Sequence, residues 1–443
     1  MTTKNKYGLL TCIAMIVGVV IGSGIFFKSD NILIATNGSI FLGALAFCIA
    51  AISIIFGSLT IAELAARNDK AGGIISYAEE AYNGGVACAF GWFQTFLYYP
   101  TLIAVVCYVV GVYVCMLFNL TSTLGIKMLI GFITAFVLFA MNLLSAKLAG
   151  YFQTSATFIK LIPLVLIGGA GFIFGKPELT FDASHSDFVS ATWLSALIPI
   201  VFSFDGWIVA TAISHEVKNA KRNVPLALIC APLTILIIYL LYFIGISIYL
   251  GPDMIMHTGD QHVELAAANL FGPWAAKGIL IFVIVSVAGT ANGLMMGLSQ
   301  LPYSLAIRGM FPKSEKVAKI NEKWDTPIIS HLVGLAIVLF WLVMHYLVTK
   351  YDLLPGSDVS EIAITLNYVL FILLYVQVLR LGFKGEIKGF LKGKFNPILA
   401  IIGSLIILYV GLLNPLFLLY LFLCTVLLIS AYLFWWKRNR KNI

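Results

Sequence analysis

Long uncharged stretches, separated by short charged segments, make up most of this chain. A helix needs about 20 apolar residues to cross a bilayer, and nine uncharged runs come close to that length or exceed it. The runs are residues 7–27, 31–62, 81–126, 128–146, 223–252, 278–307, 326–349, 362–379 and 395–436. Their length and spacing predict a protein that crosses the membrane many times.

Two further apolar segments carry a single charge each. Lys160 lies in the middle of residues 148–175, and Asp205 lies within residues 194–213. Counting both segments, and dividing the last run at its Asn-Pro pair, predicts twelve transmembrane helices, which we number as spans 1 to 12. The predicted fold class is an all-α polytopic membrane protein. The first run has no small-residue cleavage site, so we expect it to be span 1 and not a signal peptide.

Composition and charge support this interpretation. Of the 443 residues, 60% are hydrophobic and 11% are charged, whereas about a quarter of the residues of soluble domains are charged. With twelve spans, 22 of the 28 lysines and arginines fall on the side that holds both termini, five fall on the opposite side, and Lys160 lies within a span. Basic residues favour the cytoplasmic side, so we expect a cell-membrane protein with both termini in the cytoplasm. A basic water-soluble domain, which nucleic-acid binding needs, is absent from the sequence.

The sequence does not indicate enzymatic chemistry. The seven cysteines all lie in apolar stretches without CxxC or metal-ligand spacing, so we interpret them as packing residues. The glycine-rich sequence at residues 168–171 lacks the Lys-Ser/Thr of a nucleotide-binding loop. We therefore expect no cofactor, no metal and no catalytic residue.

Lys160 and two irregular spans indicate transport. A charge buried in hydrocarbon costs at least a few kcal/mol and needs partners. Span 1 contains the sequence GSG at residues 22–24, and span 6 contains Pro199 and the sequence SFDG at residues 203–206. Both patterns favour interrupted helices, five spans apart and therefore in opposite orientations. Interrupted helices at matching positions of two halves are typical of binding sites in secondary transporters.

An interrupted helix frees backbone groups that a zwitterion can use. After the interruption in span 1, the N–H groups of Ser23, Gly24 and Ile25 would bind a carboxylate, and Gly22 would allow its close approach. In span 6, the carbonyls of residues 202–204 would accept hydrogen bonds from an ammonium. Two alternatives stay open: a close helix contact through the small residues of span 1, and a kink in span 6.

Six stretches of this chain match motifs of a known family. They are Ile21-Gly22-Ser23-Gly24-Ile25-Phe26, Ile61-Ala62-Glu63-Leu64, Ala71-Gly72-Gly73, Lys160-Leu161-Ile162-Pro163, Phe202-Ser203-Phe204-Asp205-Gly206-Trp207 and Arg222-Asn223-Val224-Pro225. In these stretches the chain resembles the amino acid–polyamine–organocation transporter superfamily, in particular the L-type amino-acid transporters and the bacterial serine/threonine exchangers. The resemblance implies a LeuT-type fold with two inverted repeats of five helices, at residues 1–175 and 176–393. Two further helices and a cytoplasmic tail would occupy residues 394–443.

The resemblance also implies roles for individual residues. The three N–H groups after the first interruption would hold a substrate carboxylate, and Phe202, Ser203 and Phe204 would offer backbone to its amino group. Phe202 lies where the family has an aromatic residue that closes over the substrate. Lys160 occupies the sodium position of sodium-coupled relatives, which implies sodium-independent transport. Animal members use a cysteine to link a glycoprotein subunit, and residues 119–127 have none, so no disulfide-linked accessory subunit is expected.

Four more polar residues are candidates for the site. Asp205 is expected to cap the second half of span 6, or else to bind a cationic substrate or carry a proton. Glu63 is expected to form a lock with a basic loop residue. Asn292 is expected to hydrogen-bond to an irregular helix or to Lys160, or else to contact the substrate directly. Tyr99 either lines the cavity opposite span 8 or packs. We group Asn292 and Tyr99 with Lys160 as gating or coupling residues.

We therefore expect a sodium-independent exchanger of small neutral α-amino acids that works by alternating access in the lipid bilayer. Spans 1, 2, 6 and 7 are expected to rock against spans 3, 4, 8 and 9. Two alternatives share the fold: a proton-coupled symporter that uses deprotonation of Lys160, and a cationic amino-acid or polyamine carrier in which Asp205 faces the substrate. A channel or a membrane-embedded enzyme is an alternative from a different class.

Overall fold

The computed structural model describes residues 7–68, 70–178, 192–322, 324, 326–354, 358–412 and 414–440. In these residues the chain is helical, and β-type pairing is limited to two isolated bridges, Tyr7 with Val217 and Asn321 with Thr326. The helices, numbered in chain order, are α1 (Leu9–Val20), α2 (Ser23–Phe27), α3 (Ser29–Ala35), α4 (Ile40–Arg67), α5 (Ile74–Ala81), α6 (Gly84–Phe93), α7 (Tyr99–Phe118), α8 (Leu124–Leu144), α9 (Ala146–Phe174), α10 (Leu197–Phe204), α11 (Ala220–Leu250), α12 (Pro252–Thr258), α13 (His262–Phe271), α14 (Pro273–Ala306), α15 (Ser314–Val317), α16 (Ile328–Tyr351), α17 (Glu361–Phe383), α18 (Asn396–Leu412) and α19 (Phe417–Asn439).

Ten helical segments in the described part of the chain are long and apolar enough to cross a membrane. They are α4, the continuous segment Gly84–Phe118 that joins α6 to α7, α8, α9, α11, α14, α16, α17, Leu391–Leu412 and α19. This architecture confirms an all-helical polytopic membrane protein. Predicted spans 1 and 6 are not among the ten because each is interrupted: α1 has 12 residues and α10 has eight.

Helix α1 lies inside the helix bundle. It contacts α9, α11 and α14, and the eight buried residues among its 12 include Gly18 and Val19. Helix α11 also packs along α4, and α14 packs along α7. Helix α19, by contrast, exposes large apolar side chains such as Leu418 and Phe422, which suits a helix that faces lipid tails. The interrupted helix is therefore shielded from lipid by its neighbours.

The N-terminal end of α1 is attached to the segment before α11. The Tyr7 N–H donates to the Glu216 carbonyl at 3.1 Å, and the Lys218 N–H donates to the Tyr7 carbonyl at 2.9 Å. Elsewhere, Glu63 pairs with Lys392 at 3.3 Å, so its partner is basic as expected, but that partner lies in the helical segment Leu391–Leu412 and not in a loop. Exposed ion pairs of this kind contribute only about 0–1 kcal/mol. The backbone pairing of Tyr7 is therefore the stronger of these two contacts.

Candidate functional site

The first interruption occupies residues 21–22, between α1 and α2. Ile21 leaves the helical conformation at φ −75°, ψ 84°, and Gly22 follows at φ −108°, ψ −146°. The helix resumes at Ser23 and continues to Phe27. The break that the glycine-rich sequence predicts is present at the predicted residues.

Lys160 of α9 holds the end of α1 in place. Its side chain is fully buried, with 0% exposure, and its Nζ donates to the Gly18 carbonyl at 2.6 Å, the Ile21 carbonyl at 2.7 Å and the Ser286 carbonyl at 3.0 Å. Thr290 Oγ1 lies 3.4 Å from the same Nζ, so four oxygens surround an ammonium that has three donors. Gly18 lies in the last turn of α1 and Ile21 directly follows it, at the end where the helix dipole favours a positive charge. The lysine is thus bound by backbone oxygen, as its isolation in an apolar segment predicts.

The second interruption occupies residues 205–208, after α10. Gly206 adopts φ +91°, and a Cβ at this position would lie 2.5 Å from Val19 Cγ1, so only glycine fits. The chain then continues through two 3₁₀ turns, Val209–Thr211 and Ser214–Glu216. The expected second half-helix is not an α-helix in the described residues before α11, so Asp205 caps no α-helix there, although its carboxylate accepts a hydrogen bond from the Gly206 N–H.

Tyr239 of α11 connects the two interruptions. Its hydroxyl lies 2.6 Å from the Ser203 carbonyl and 3.0 Å from the Val20 carbonyl. One hydroxyl proton serves one acceptor at a time, so the two carbonyls share this donor. The sequence analysis missed Tyr239, since a tyrosine inside the uncharged run at residues 223–252 carries no signal of its own. The only hint is that a buried tyrosine hydroxyl usually finds a partner.

Asp205 projects its carboxylate into the region between the interruptions. The Tyr98 hydroxyl donates to its Oδ2 at 2.8 Å. Its Oδ1 is buried and has no hydrogen-bond partner among the described residues, although the residue is only 7% exposed. Tyr98 ends the π-helical turn Gln94–Tyr98, which changes the helix register just before α7. A buried acceptor without a donor is costly, so Oδ1 is a strong candidate to meet a ligand or a proton.

Both interruptions line one small cavity of about 40 Å³. A water molecule needs about 10–15 Å³ of such space, so the cavity holds roughly three water-sized groups in this conformation. Its polar lining includes Ser203, Asp205 and Thr290, and its apolar lining includes Leu102, Val106 and Leu294. Gly22 and Gly24 line it too. The structure therefore brings together residues from both predicted breaks.

The half-helices α2 and α10 approach each other closely at Gly24. A Cβ added to Gly24 would lie 2.8 Å from Ser203 Oγ and 3.3 Å from Ser203 Cα. These distances are shorter than ordinary van der Waals contacts. A larger residue at position 24 would push the two half-helices apart and enter the cavity.

Asn292 of α14 lies in a separate polar group. Its Nδ2 donates to Gln153 Oε1 at 2.9 Å and to the Ala149 carbonyl at 3.2 Å, and its Oδ1 accepts from Asn142 Nδ2 at 2.9 Å. These partners lie on α8 and α9, both continuous helices. The expectation that Asn292 bonds to an irregular helix or to Lys160 is therefore wrong. The group contacts α1 only by packing, since a Cβ at Gly18 would lie 2.4 Å from Gln153 Nε2.

The other predicted residues occupy distinct positions. Tyr99 packs edge-to-face against Tyr98, with ring centroids 5.3 Å apart, and is not among the cavity-lining residues. Phe204 packs against Tyr239, with centroids 5.0 Å apart, so its ring points into the core. Ile25 is also buried, with 1% exposure. For Phe202 and Ser23 only the helical backbone is described, and the expected closing role of the Phe202 ring lies outside the described part of the structure.

Comparison with known proteins is consistent with this architecture. The family model described as amino acid permease matches residues 7–431. The serine/threonine exchanger SteT of Bacillus subtilis is 30% identical over 411 residues, which covers 91% of this chain and 90% of the relative. The b(0,+)-type amino acid transporter 1 of Mus musculus is 24% identical over 98% of this chain and 87% of its own length. The cystine/glutamate transporter of Homo sapiens is 26% identical over 73% and 65%, respectively.

Replacing Lys160 tests whether the ammonium stabilises the first interruption. In Lys160→Ala, three buried carbonyls lose their shared donor, and each unsatisfied buried acceptor costs about 1–3 kcal/mol. We expect a clear decrease of the midpoint of thermal unfolding in detergent. Lys277→Ala, at an exposed lysine of α14, is the matched control and should leave the midpoint unchanged. Equal midpoints for both variants would contradict the stabilising role of Lys160.

Proposed function

The chain belongs to the amino acid permease family, and on this premise we propose that it is a sodium-independent secondary transporter that exchanges neutral α-amino acids across the cell membrane. Membership places it among transporters and not among enzymes. The observation that supports the finer proposal is the position of the two interruptions, which line the same cavity. A zwitterion carries its two charges on neighbouring atoms and so suits such a pair of helix ends.

We propose that the substrate carboxylate binds at the start of α2, to the N–H groups of Ser23, Gly24 and Ile25. These groups belong to the first turn of a helix and therefore have no partner within it. The substrate ammonium would bind carbonyl oxygens at the end of α10, contributed by Phe202, Ser203 and Phe204. The Ser203 carbonyl already accepts from Tyr239, but a carbonyl has a second lone pair.

The remaining side of the cavity suits a small substrate. Leu102, Val106 and Leu294 line it, and they offer no charge to a substrate side chain. The cavity in this conformation holds only about three water-sized groups, which is less than an amino acid needs. Lining side chains therefore have to move, or the site has to open further, before the substrate binds. Serine and threonine, which the name of the Bacillus subtilis relative mentions, are the first substrates to test.

The position of Lys160 supports the proposal of sodium independence. Its ammonium binds the Gly18 and Ile21 carbonyls, which are the kind of hard oxygen ligands that a bound Na⁺ would otherwise need. A fixed positive charge there leaves no requirement for a second cation. We propose that Lys160 keeps the end of α1 attached to α9 through the transport cycle.

Alternating access requires that one end of the site opens at a time. We propose twelve spans with two inverted repeats of five, in which the α1 and α10 segments complete the ten continuous helices. The pairing of Tyr7 with Glu216 and Lys218 would close the proposed cytoplasmic side in this conformation. Both termini are proposed to lie in the cytoplasm, and an accessory subunit linked by a disulfide is not expected.

Exchange in proteoliposomes tests the proposed activity. We expect uptake of labelled L-serine to rise at least several-fold when the vesicles contain unlabelled L-serine, because a loaded carrier returns more readily than an empty one. Replacing external sodium by choline should leave the rate unchanged. Equal uptake into loaded and empty vesicles would contradict exchange, and dependence on a pH gradient would favour the proton-coupled alternative.

The Gly24→Val variant tests the proposed site. A β-branched side chain next to Ser203 would occupy the space that the carboxylate needs, so we expect L-serine uptake to fall to background. Gly169→Val is the matched control, because a Cβ at Gly169 meets nothing within 4 Å. Both variants should insert and purify as the wild type does. Normal uptake by Gly24→Val would count heavily against this site.

A cationic amino-acid carrier is the second candidate, and Asp205 is the observation that favours it. Its Oδ1 lacks a partner among the described residues and lines the cavity. For a neutral carrier we expect that excess arginine or agmatine leaves L-serine uptake intact. Strong inhibition by arginine that Asp205→Asn removes would establish the cationic alternative instead.

A further inference from the structure

A second cavity, of about 340 Å³, is lined by residues in α10 and just after α2. We call it the peripheral pocket and define it by residues of five elements, namely Lys28 after α2, Val201 of α10, Thr365 of α17, Val410 of α18 and Tyr420 of α19. It shares no lining residue with the central cavity. Its volume falls within the range of about 300–1,000 Å³ that is usual for small-molecule sites.

The peripheral pocket contains a cation without a partner. The side chain of Lys28 is partly buried, and it makes no hydrogen bond and no ion pair with any described residue. Partial burial of an ammonium costs free energy unless an anion or an acceptor compensates it. The position of Lys28 on a cavity therefore favours an anionic ligand group.

Two carboxylates line the same pocket. Asp358 Oδ1 accepts from the backbone N–H of Ser360 at 2.7 Å and from its hydroxyl at 2.5 Å, which fixes the orientation of the carboxylate. Glu361 Oε2 accepts from Asn414 Nδ2 at 3.4 Å. An ionised carboxylate has about four acceptor sites, so it can hold an ammonium in addition to other partners. These groups favour a positively charged ligand group in the same pocket as the anionic one.

The rest of the pocket is largely apolar. Val201, Ile364, Ile407 and Val410 line it and are buried. Small-molecule sites typically combine such an apolar lining with a few polar groups that fix orientation. A ligand that suits the pocket therefore carries an ammonium, an anionic group and a short apolar part.

We propose that the peripheral pocket binds a second α-amino acid, with its carboxylate on Lys28 and its ammonium on Asp358 and Glu361. The proposal rests on the proposed function for the class of ligand, but not on the location of the central site. A phosphatidylethanolamine headgroup presents the same pair of charges, so the experiment has to separate the two sources.

Occupancy of this pocket would act on both half-helices. Lys28 directly follows the last residue of α2, and Val201 directly precedes Phe202 in α10. An amino acid bound there would connect these half-helices to α17, α18 and α19. The pocket is therefore placed to hold substrate before it enters the central cavity and to restrain the movement that closes over it.

Equilibrium binding of labelled L-serine to the purified full-length protein tests the proposal. We expect two molecules per chain for the wild type, and one for Lys28→Gln and for Glu361→Gln. Lys277→Gln, at an exposed lysine of α14, is the matched control and should keep two. A variant is included only if its midpoint of thermal unfolding equals that of the wild type. If Lys28→Gln does not fold, Glu361→Gln alone tests the pocket. One molecule per chain in the wild type, or two in both pocket variants, overturns the proposal.

Two further measurements separate this site from its alternatives. Gly24→Val should lose one of the two molecules and Gly24→Val combined with Lys28→Gln should lose both. If Gly24→Val keeps two while Lys28→Gln keeps one, the proposed central site is wrong and the peripheral pocket is supported.

Native mass spectrometry tests whether a lipid headgroup occupies the pocket instead. Loss of bound phosphatidylethanolamine in Lys28→Gln, with unchanged L-serine binding, would assign the pocket to a lipid headgroup and overturn the amino-acid assignment.

Discussion

Inside a bilayer, every backbone group that an interrupted helix frees needs a partner other than water, and the centre of this molecule is organised by that constraint. Lys160 supplies three donors to carbonyls of α1 and α14, and Tyr239 supplies one to the carbonyls of Val20 and Ser203. Both side chains come from continuous helices that surround the interruptions. The interrupted segments can persist because their neighbours satisfy the carbonyls on the protein side. We propose that the remaining backbone groups of these segments bind the substrate.

The charges near this cavity differ in how completely they are satisfied. Lys160 is surrounded by oxygens of the protein, so its charge serves the protein itself. Asp205 has one carboxylate oxygen engaged by Tyr98 and one without a partner among the described residues. A neutral zwitterion, a cationic side chain and a proton would each satisfy that oxygen in a different way. The family establishes transport of amino acids as the general activity of its members, and we propose that this carboxylate contributes to the choice between neutral and cationic amino acids.

The sequence predicts the interruptions well and their surroundings poorly, for physical reasons. Glycines at residues 22 and 24 and the sequence around Gly206 indicate a break, because the backbone conformation there is a local property. A single lysine in an apolar segment likewise implies partners. Which side chains supply them depends on helix tilt and register, and these are set by packing. Three such features leave no pattern in the sequence. They are the contacts of Tyr239, the register change that brings Tyr98 to Asp205, and the pairing of Tyr7 with residues more than 200 positions later. The wrong predictions for Asn292 and for the capping role of Asp205 have the same origin. Each assumed a hydrogen-bond partner from the position in the chain or from the expected type of helix.

The central claim is that backbone at two facing interruptions holds the zwitterion. A high-resolution density map of the full-length protein with L-serine bound tests it most directly. The account predicts the serine carboxylate at hydrogen-bond distance, about 2.7–3.2 Å, from N–H groups of Ser23, Gly24 and Ile25, with its ammonium at carbonyls of residues 202–204. A serine bound only through side chains elsewhere, or a map in which α1 and α2 form one continuous helix in the bound state, would contradict it.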